Sequence, residues 1–256
     1  KWAKGDSNEN IMEIRLQKIL SQKGLCSRRE AERLIIDGRV KVDGQPAHLG
    51  QKVDPALHDI VVNGRSIRTL SQPRTVIAIN KPVGYTCSND DVHAEKLIFE
   101  LLPREYRGLK LFVAGRLDRD SSGLVIVTND GDLAHKLTHP SNQIQKRYHV
   151  KFAPALSGGE FEWFLEGQKD EGELLRFERI ITPPKKTGPF FELDVILNHG
   201  KKREIRRLFA LSGREVGSLQ RLSIGGFRVS GIPTGAYKKL SGKDVQSLLA
   251  EMESIR

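Results

Sequence analysis

Cysteine is scarce in this chain. Its 256 residues include two, Cys26 and Cys87, far apart and without metal-like spacing. That excludes a framework of several disulfides. The pair reads as free thiols in a reducing compartment, with a single disulfide left open. Aromatic residues make up 6% and tryptophan occurs twice. No apolar run approaches the roughly 18 residues a membrane span needs, and the N-terminus lacks a signal peptide's apolar core. Lys1 to Asn10 is polar and aperiodic, so residues 1–13 are expected to be a disordered tail. The chain opens on Lys1 rather than Met, which leaves upstream sequence open. No internal repeat is present.

Positive charge is abundant instead. Forty-two Lys and Arg against 32 Asp and Glu give a net charge of +10, while hydrophobic content stays at 38%. That balance fits a globular protein with an anionic partner such as nucleic acid or a membrane surface, or a merely basic soluble protein. The length suits one large domain, or a small domain followed by a larger one.

The chain is organised around residues 111–128. Two apolar runs, 111–114 and 124–128, predict buried strands. Between them a short loop holds Asp118, flanked by Arg116 and Arg119. On spacing alone such a carboxylate is more often a loop cap or ion-pair partner than a reactive group. Upstream, residues 14–62 form a separate unit. Ile14, Leu16, Ile19 and Leu20 make a short apolar face ending at Gly24. Ser27 and Glu30 have capping-box spacing ahead of a second helix with Ala31, Leu34 and Ile35 inward. Residues 39–42 alternate as a strand into an Asp43-Gly44 turn signal, and a second short run, 59–62, closes on Asn63-Gly64. Residues 63–74 read as a linker and 75–256 as the second domain.

In that second domain, strand 75–80 leads into Lys81-Pro82-Val83-Gly84, a turn more structural than chemical. Residues 130–140 form a helix whose His135 and His139 are four apart; without a third ligand at a convincing spacing, an exposed face is the better reading than a metal site. Strand 145–152 places Tyr148, Val150 and Phe152 on one face, with His149 and Lys151 on the other. A helix around Phe161, Phe164 and Leu165 should pack on the sheet, followed by strands near 174–181 and 190–197 joined by a loop at 183–189. The helix with Arg203, Arg206 and Arg207 buries Ile205, Leu208 and Phe209. Strands near 221–224 and 226–229 precede a last helix capped by Ser241, with Val245, Leu248, Leu249 and Met252 buried.

Gly115-Arg116-Leu117-Asp118-Arg119-Asp120-Ser121-Ser122-Gly123-Leu124 resembles the catalytic motif of the pseudouridine synthases, in the branch that contains the ribosomal small-subunit synthase A and its large-subunit relatives. Ser121 stands where that branch most often has Thr, which keeps the hydroxyl. Lys146-x-Tyr148 resembles the family's second motif, and the run 203–208 its third, with Glu204 for the usual Gln and Leu208 for Met. Leu25-Cys26-Ser27-Arg28-Arg29-Glu30-Ala31, followed by residues 38–44, resembles the S4 domain, a small RNA-binding module.

The resemblance implies an α+β fold, with a small S4 domain and a catalytic domain built on a mixed, largely antiparallel sheet with a central cleft. It implies that Asp118 is the nucleophile of uridine isomerisation, that Tyr148 stacks on the target base, and that Arg206 pairs with Asp118. Arg116, Arg203 and Leu208 would contact substrate, Leu208 as a pocket wall. Arg15, Lys18, Arg28, Arg29, Arg33, Arg39 and Lys41 would meet RNA phosphates, which position rather than specify. The partner would be ribosomal RNA or a pre-ribosomal particle, weakly favouring the large subunit, and the protein a cytoplasmic monomer. Isomerisation involves no redox change or group transfer, so no cofactor or metal is expected. A non-catalytic RNA-binding protein would not need Asp118, Tyr148 and Arg206 together, and a glycoside hydrolase would need a second positioned carboxylate, for which Asp120 is the nearest candidate.

Overall fold

The computed structural model describes residues 13–68, 72–89, 91, 94–181 and 188–252. The expected tail before Glu13, part of the expected linker and most of the 183–189 loop lie outside the described residues. The chain divides into two compact units, with the main break between Pro73 and Arg74 and residues 108–110 belonging to the first.

In the small unit, β1 (Ile14–Arg15) precedes α1 (Leu16–Gln22) and α2 (Arg28–Ile36). The capping box forms as expected: Ser27 Oγ accepts from the Glu30 amide at 3.2 Å, and Glu30 accepts from the Ser27 amide at 3.4 Å. Then come β2 (Val40–Val42), β3 (Gln45–Pro46), β4 (Lys52–Val53), β5 (Ile60–Val62) and β6 (Arg65–Ser66). Asp43 and Gly44, both at positive φ, turn β2 into β3 with the two-residue geometry that the chain's right-handed twist favours. Leu16, Leu20, Ala31, Val40 and Ile60 make the core, each at most 1% exposed. The unit runs past residue 62, where a linker was expected. Asn63 and Gly64 also take positive φ, so residues 65–66 fold back as β6, and Ile67 is buried in the core.

The larger unit contains β7 (Val76–Lys81), β8 (Phe112–Ala114), β9 (Ser122–Thr128), α3 (Gly131–Thr138) and β10 (Lys146–Leu156). There follow α4 (Phe161–Glu166), β11 (Gln168–Asp170), β12 (Glu173–Leu175), β13 (Arg179–Ile181) and β14 (Phe190–Leu197). Then α5 (Glu204–Leu211), β15 (Glu215–Ile224), β16 (Phe227–Arg228), β17 (Tyr237–Lys239) and α6 (Gly242–Leu249) complete it. One sheet runs β13-β14-β10-β15-β9-β7-β17, with β16 on β15 and β8 on β9. All its pairings are antiparallel except β15 with β9, which meet over two residue pairs, Gln220 with Ser122 and Arg221 with Gly123. The sheet is therefore mixed and largely antiparallel, an α+β architecture, and that short parallel contact is the seam between its halves.

The Phe209 ring of α5 packs at a tilt against Phe152 on β10 and Phe164 on α4, with centroids 4.5 and 5.1 Å apart and Phe177 beside them. Burying such rings contributes about 1.5–3 kcal/mol each and fixes α5 against the sheet. Three local expectations shift. The run 174–181 splits into β12 and β13, β15 starts six residues before Arg221, and Leu249 is 37% exposed while Leu248 carries the buried contact of α6. His149 and Lys151, on the other face of β10, pair with Asp194 and Glu192 on β14. Cys26 and Cys87 are free and buried, and burial pushes the Cys26 thiol up to about 11. No helix among the described residues is long and apolar enough to cross a membrane.

Candidate active site

Asp118 sits in the connection from β8 to β9, which are registered Phe112 to Thr128, Val113 to Val127 and Ala114 to Ile126. The strands hold the loop ends. Gly115 and Gly123, at φ +91° and +106°, let it leave and re-enter the sheet, conformations that L side chains rarely adopt. At Gly123 the reason is also packing, since a Cβ there would lie 2.2 Å from the Arg221 carbonyl oxygen. Leu117 and Ser121 turn inward, at 8% and 1% exposure, leaving Asp118 over a cleft of about 260 Å³.

The cleft collects Arg116, Asp118, Tyr148, Arg203, Ile205 and Leu219 from four separate segments. Tyr148 comes from β10 and is 8% exposed. Arg203 takes a left-handed backbone conformation (φ +51°) just before α5. Strained backbone of this kind clusters at functional sites. Its guanidinium lies 3.7 Å from Asp118 Oδ2 and 3.1 Å from Asp120 Oδ2.

Arg206 departs from the expected pairing. Its Nη2 donates to the Asp120 carbonyl and its Nη1 to the Val216 carbonyl, both at 2.9 Å, with Nε 3.2 Å from Asp120 Oδ2. These anchors tie it to Asp120, while the Arg203 guanidinium lies beside Asp118. Burial works against ionisation of Asp120, but the Arg203 hydrogen bond and the two guanidinium charges outweigh it and hold the carboxyl below its usual range. Asp120 is thus a latch between loop and α5. Leu208 also departs from expectation. It is fully buried, and Ile205, one turn-face away, lines the cleft with Leu219.

Glu204, 4% exposed, accepts from the Lys201 amide at 3.1 Å and lies 2.8 Å from His199 Nδ1. Arg119 turns away to Glu95 at 2.5 Å, while Arg116 is exposed at the cleft. The Asp118 side chain is 42% exposed, so any exclusion of water from it would have to come from a bound substrate. A larger cavity of about 380 Å³ opens between Arg147, Leu222, Val229 and Met252. Its lining among the described residues includes no carboxylate, whereas Asp118, Tyr148 and Arg203 all line the smaller one.

Three buried cations outside the cleft lining were not anticipated. Arg221 is 2% exposed, and its guanidinium reaches the Leu124 carbonyl at 2.7 Å and the Gly115 carbonyl at 2.9 Å. Lys146, on β10, donates to the Ile144 carbonyl at 2.9 Å, and burial with the charge of Arg221 depresses its ammonium to about 8. Lys81, fully buried, donates to the carbonyls of Pro82 and Tyr85 and is held below its usual range chiefly by burial. The available signal was phase. Arg221 follows Leu219 and precedes Ser223 on an inward alternation, and Lys146 precedes Tyr148 and Val150 on another. In the small unit, Arg15, Arg28, Arg29, Arg33, Arg39 and Lys41 are exposed and Lys18 is half-buried. Arg39 donates to Asn63 Oδ1 at 2.7 Å.

The sequence model described as RNA pseudouridylate synthase matches residues 75–211, and that of the S4 domain matches residues 14–58. An uncharacterized RNA pseudouridine synthase of Mycobacterium tuberculosis is 37% identical over 240 residues, 92% of either chain. Ribosomal large subunit pseudouridine synthase B of Pseudomonas aeruginosa is 35% identical over 243 residues, 93% of this chain and 62% of that one. A crystal structure described as a pseudouridylate synthase superposes with a TM-score of 0.64 at 26% identity, covering 92% of this chain and 99% of that one.

Proposed function

Since this chain belongs to the RNA pseudouridylate synthase family and carries its S4 module, we propose that it isomerises specific uridines of large-subunit ribosomal RNA, with Asp118 as nucleophile. The observation that carries the assignment of roles is the convergence of Asp118, Tyr148 and Arg203 on one cleft from three distant segments. The Pseudomonas relative is named for the large subunit, which supports the large subunit over the small. The working unit would be a cytoplasmic monomer acting on ribosomal RNA or an assembling particle.

Isomerisation breaks the N1–C1′ bond to leave a uracil anion, turns the uracil, forms C5–C1′, releases the proton from C5 and protonates N1. An ionised Asp118 serves either route open to it, attack on the nucleoside or assistance to departing uracil anion. The Tyr148 ring offers a flat wall on which the detached base can turn. Leu117, Ile205 and Leu219 exclude water once a base enters, which strengthens every charge interaction inside. Extruding the uridine costs a few kcal/mol, and the exposed Arg116 together with Lys201 and Lys202 at the cleft supplies cations for the flanking phosphates.

The test is tritium release from [5-³H]uridine-labelled 23S and 16S transcripts, with product sites mapped. Wild type should release tritium from 23S RNA at one or a few sites. Asp118→Asn should release none while binding the transcript with unchanged affinity. Near-normal turnover by that variant removes Asp118 as nucleophile, and release from 16S RNA alone reverses the subunit assignment.

A further inference from the structure

Arg221 is among the largest fully buried side chains of the protein. Buried arginines are rare without a carboxylate partner, because taking an unpaired charge out of water costs several kcal/mol. Yet every contact its guanidinium makes among the described residues is neutral. Nε donates to the Leu124 carbonyl at 2.7 Å and Nη2 to the Gly115 carbonyl at 2.9 Å. Nη1 lies 3.4 Å from the Arg116 carbonyl and 3.5 Å from the Tyr148 hydroxyl. Its charge also acts on two further buried cations, Lys81 and Lys146, and lowers both.

The acceptors are not scattered. Gly115 and Arg116 begin the loop that holds Asp118, Leu124 follows its end, and Tyr148 forms the cleft wall. The backbone contributes too: β15 meets β9 in parallel at Arg221 and Gly123, close enough that only glycine fits opposite. One planar fork therefore ties both ends of the loop to the strand and to the stacking residue. A lysine, with a single nitrogen, cannot span those four acceptors.

We propose that Arg221 is a positioning residue, which holds the Asp118 loop and Tyr148 in the arrangement the isomerisation requires. It acts through those two residues rather than on the uridine, and it rests on the assignment of roles above. Misplacement of a reacting group by about an ångström costs on the order of 100-fold in rate.

The experiment compares wild type, Arg221→Lys, Arg221→Gln, Tyr148→Phe and the Arg221→Lys/Tyr148→Phe double variant. Single-turnover tritium release and affinity are measured on labelled 23S and 16S transcripts, with melting curves to score folding. Arg221→Gln should lose on the order of 100-fold or more in rate, Arg221→Lys about tenfold, and both should keep transcript affinity within twofold. The combined loss in the double variant should fall short of the product of the single losses, because the two residues act as a unit. In the absence of RNA, hydrogen exchange of amides 115–123 should accelerate at least tenfold in Arg221→Lys, with β7 and β14 unchanged. A folded Arg221→Lys with wild-type exchange in this loop overturns the proposal, as do multiplicative losses or, in a folded Arg221→Gln, a rate within threefold of wild type. If wild type releases no tritium from either transcript, the ribosomal RNA assignment falls, and loop exchange still decides the role of Arg221.

Discussion

Replacing Lys146 by Met should stabilise the larger unit at neutral pH and abolish one component of its pH dependence. Lys146 is 8% exposed, makes one hydrogen bond to the Ile144 carbonyl, and has its ammonium depressed from 10.5 to about 8 by burial and by Arg221. A difference of about 2.5 units between folded and unfolded chain corresponds to roughly 3 kcal/mol at 1.36 kcal/mol per unit. The sign follows from proton counts. Below pH 8 both states hold the proton, and the cost is fully present and constant. Between about 8 and 10.5 the unfolded chain binds the proton that the folded chain has released, so stability rises with pH. Above 10.5 the cost is gone.

Methionine keeps an unbranched stem of similar length and carries no charge, but it leaves the Ile144 carbonyl without this donor, which costs about 1–3 kcal/mol. The variant should therefore be more stable than wild type by about 0–2 kcal/mol at pH 7, and less stable than wild type by pH 10. The assay is urea unfolding followed by Trp163 fluorescence in a Trp2→Phe background, so that the signal comes from α4 of the larger unit. A difference between wild type and variant that stays flat from pH 7 to 10 would refute the reasoning.

Two further outcomes check other parts of the molecule. Gly123→Ala should unfold at lower urea or lose tritium release outright, because backbone strain at φ +106° and a 2.2 Å approach to the Arg221 carbonyl oxygen each cost about 1–3 kcal/mol; an unchanged midpoint and rate would count against the seam as drawn. Neutralising Arg28, Arg29 and Arg33 to Gln should flatten the slope of log affinity against log salt by about 2, at roughly 0.7 per single-stranded phosphate. An unchanged slope in filter binding to labelled transcript would mean that α2 does not face RNA.

Sequence alone determined what depends on neighbours in the chain. The Ser27–Glu30 cap, the Asp43-Gly44 turn, the strands on either side of Asp118 and the helix carrying Arg206 are local, because period, cap and turn chemistry act within a few residues. The motif around Asp118 marks the family by its sequence alone. Tertiary structure decided which arginine reaches which carboxylate. Arg203 and Arg206 both precede or occupy α5, and only the placement of Val216 and the Asp120 carbonyl ties Arg206 to Asp120 and leaves Arg203 beside Asp118. It likewise decided that Ile205 rather than Leu208 walls the cleft, since a helix's apolar stripe does not say which member faces the sheet and which the ligand. Arg221 lies about a hundred residues from the loop it ties down. Its role was invisible in sequence because a parallel pairing between β9 and β15 leaves no local signal, only a charged residue standing in the inward phase of a strand.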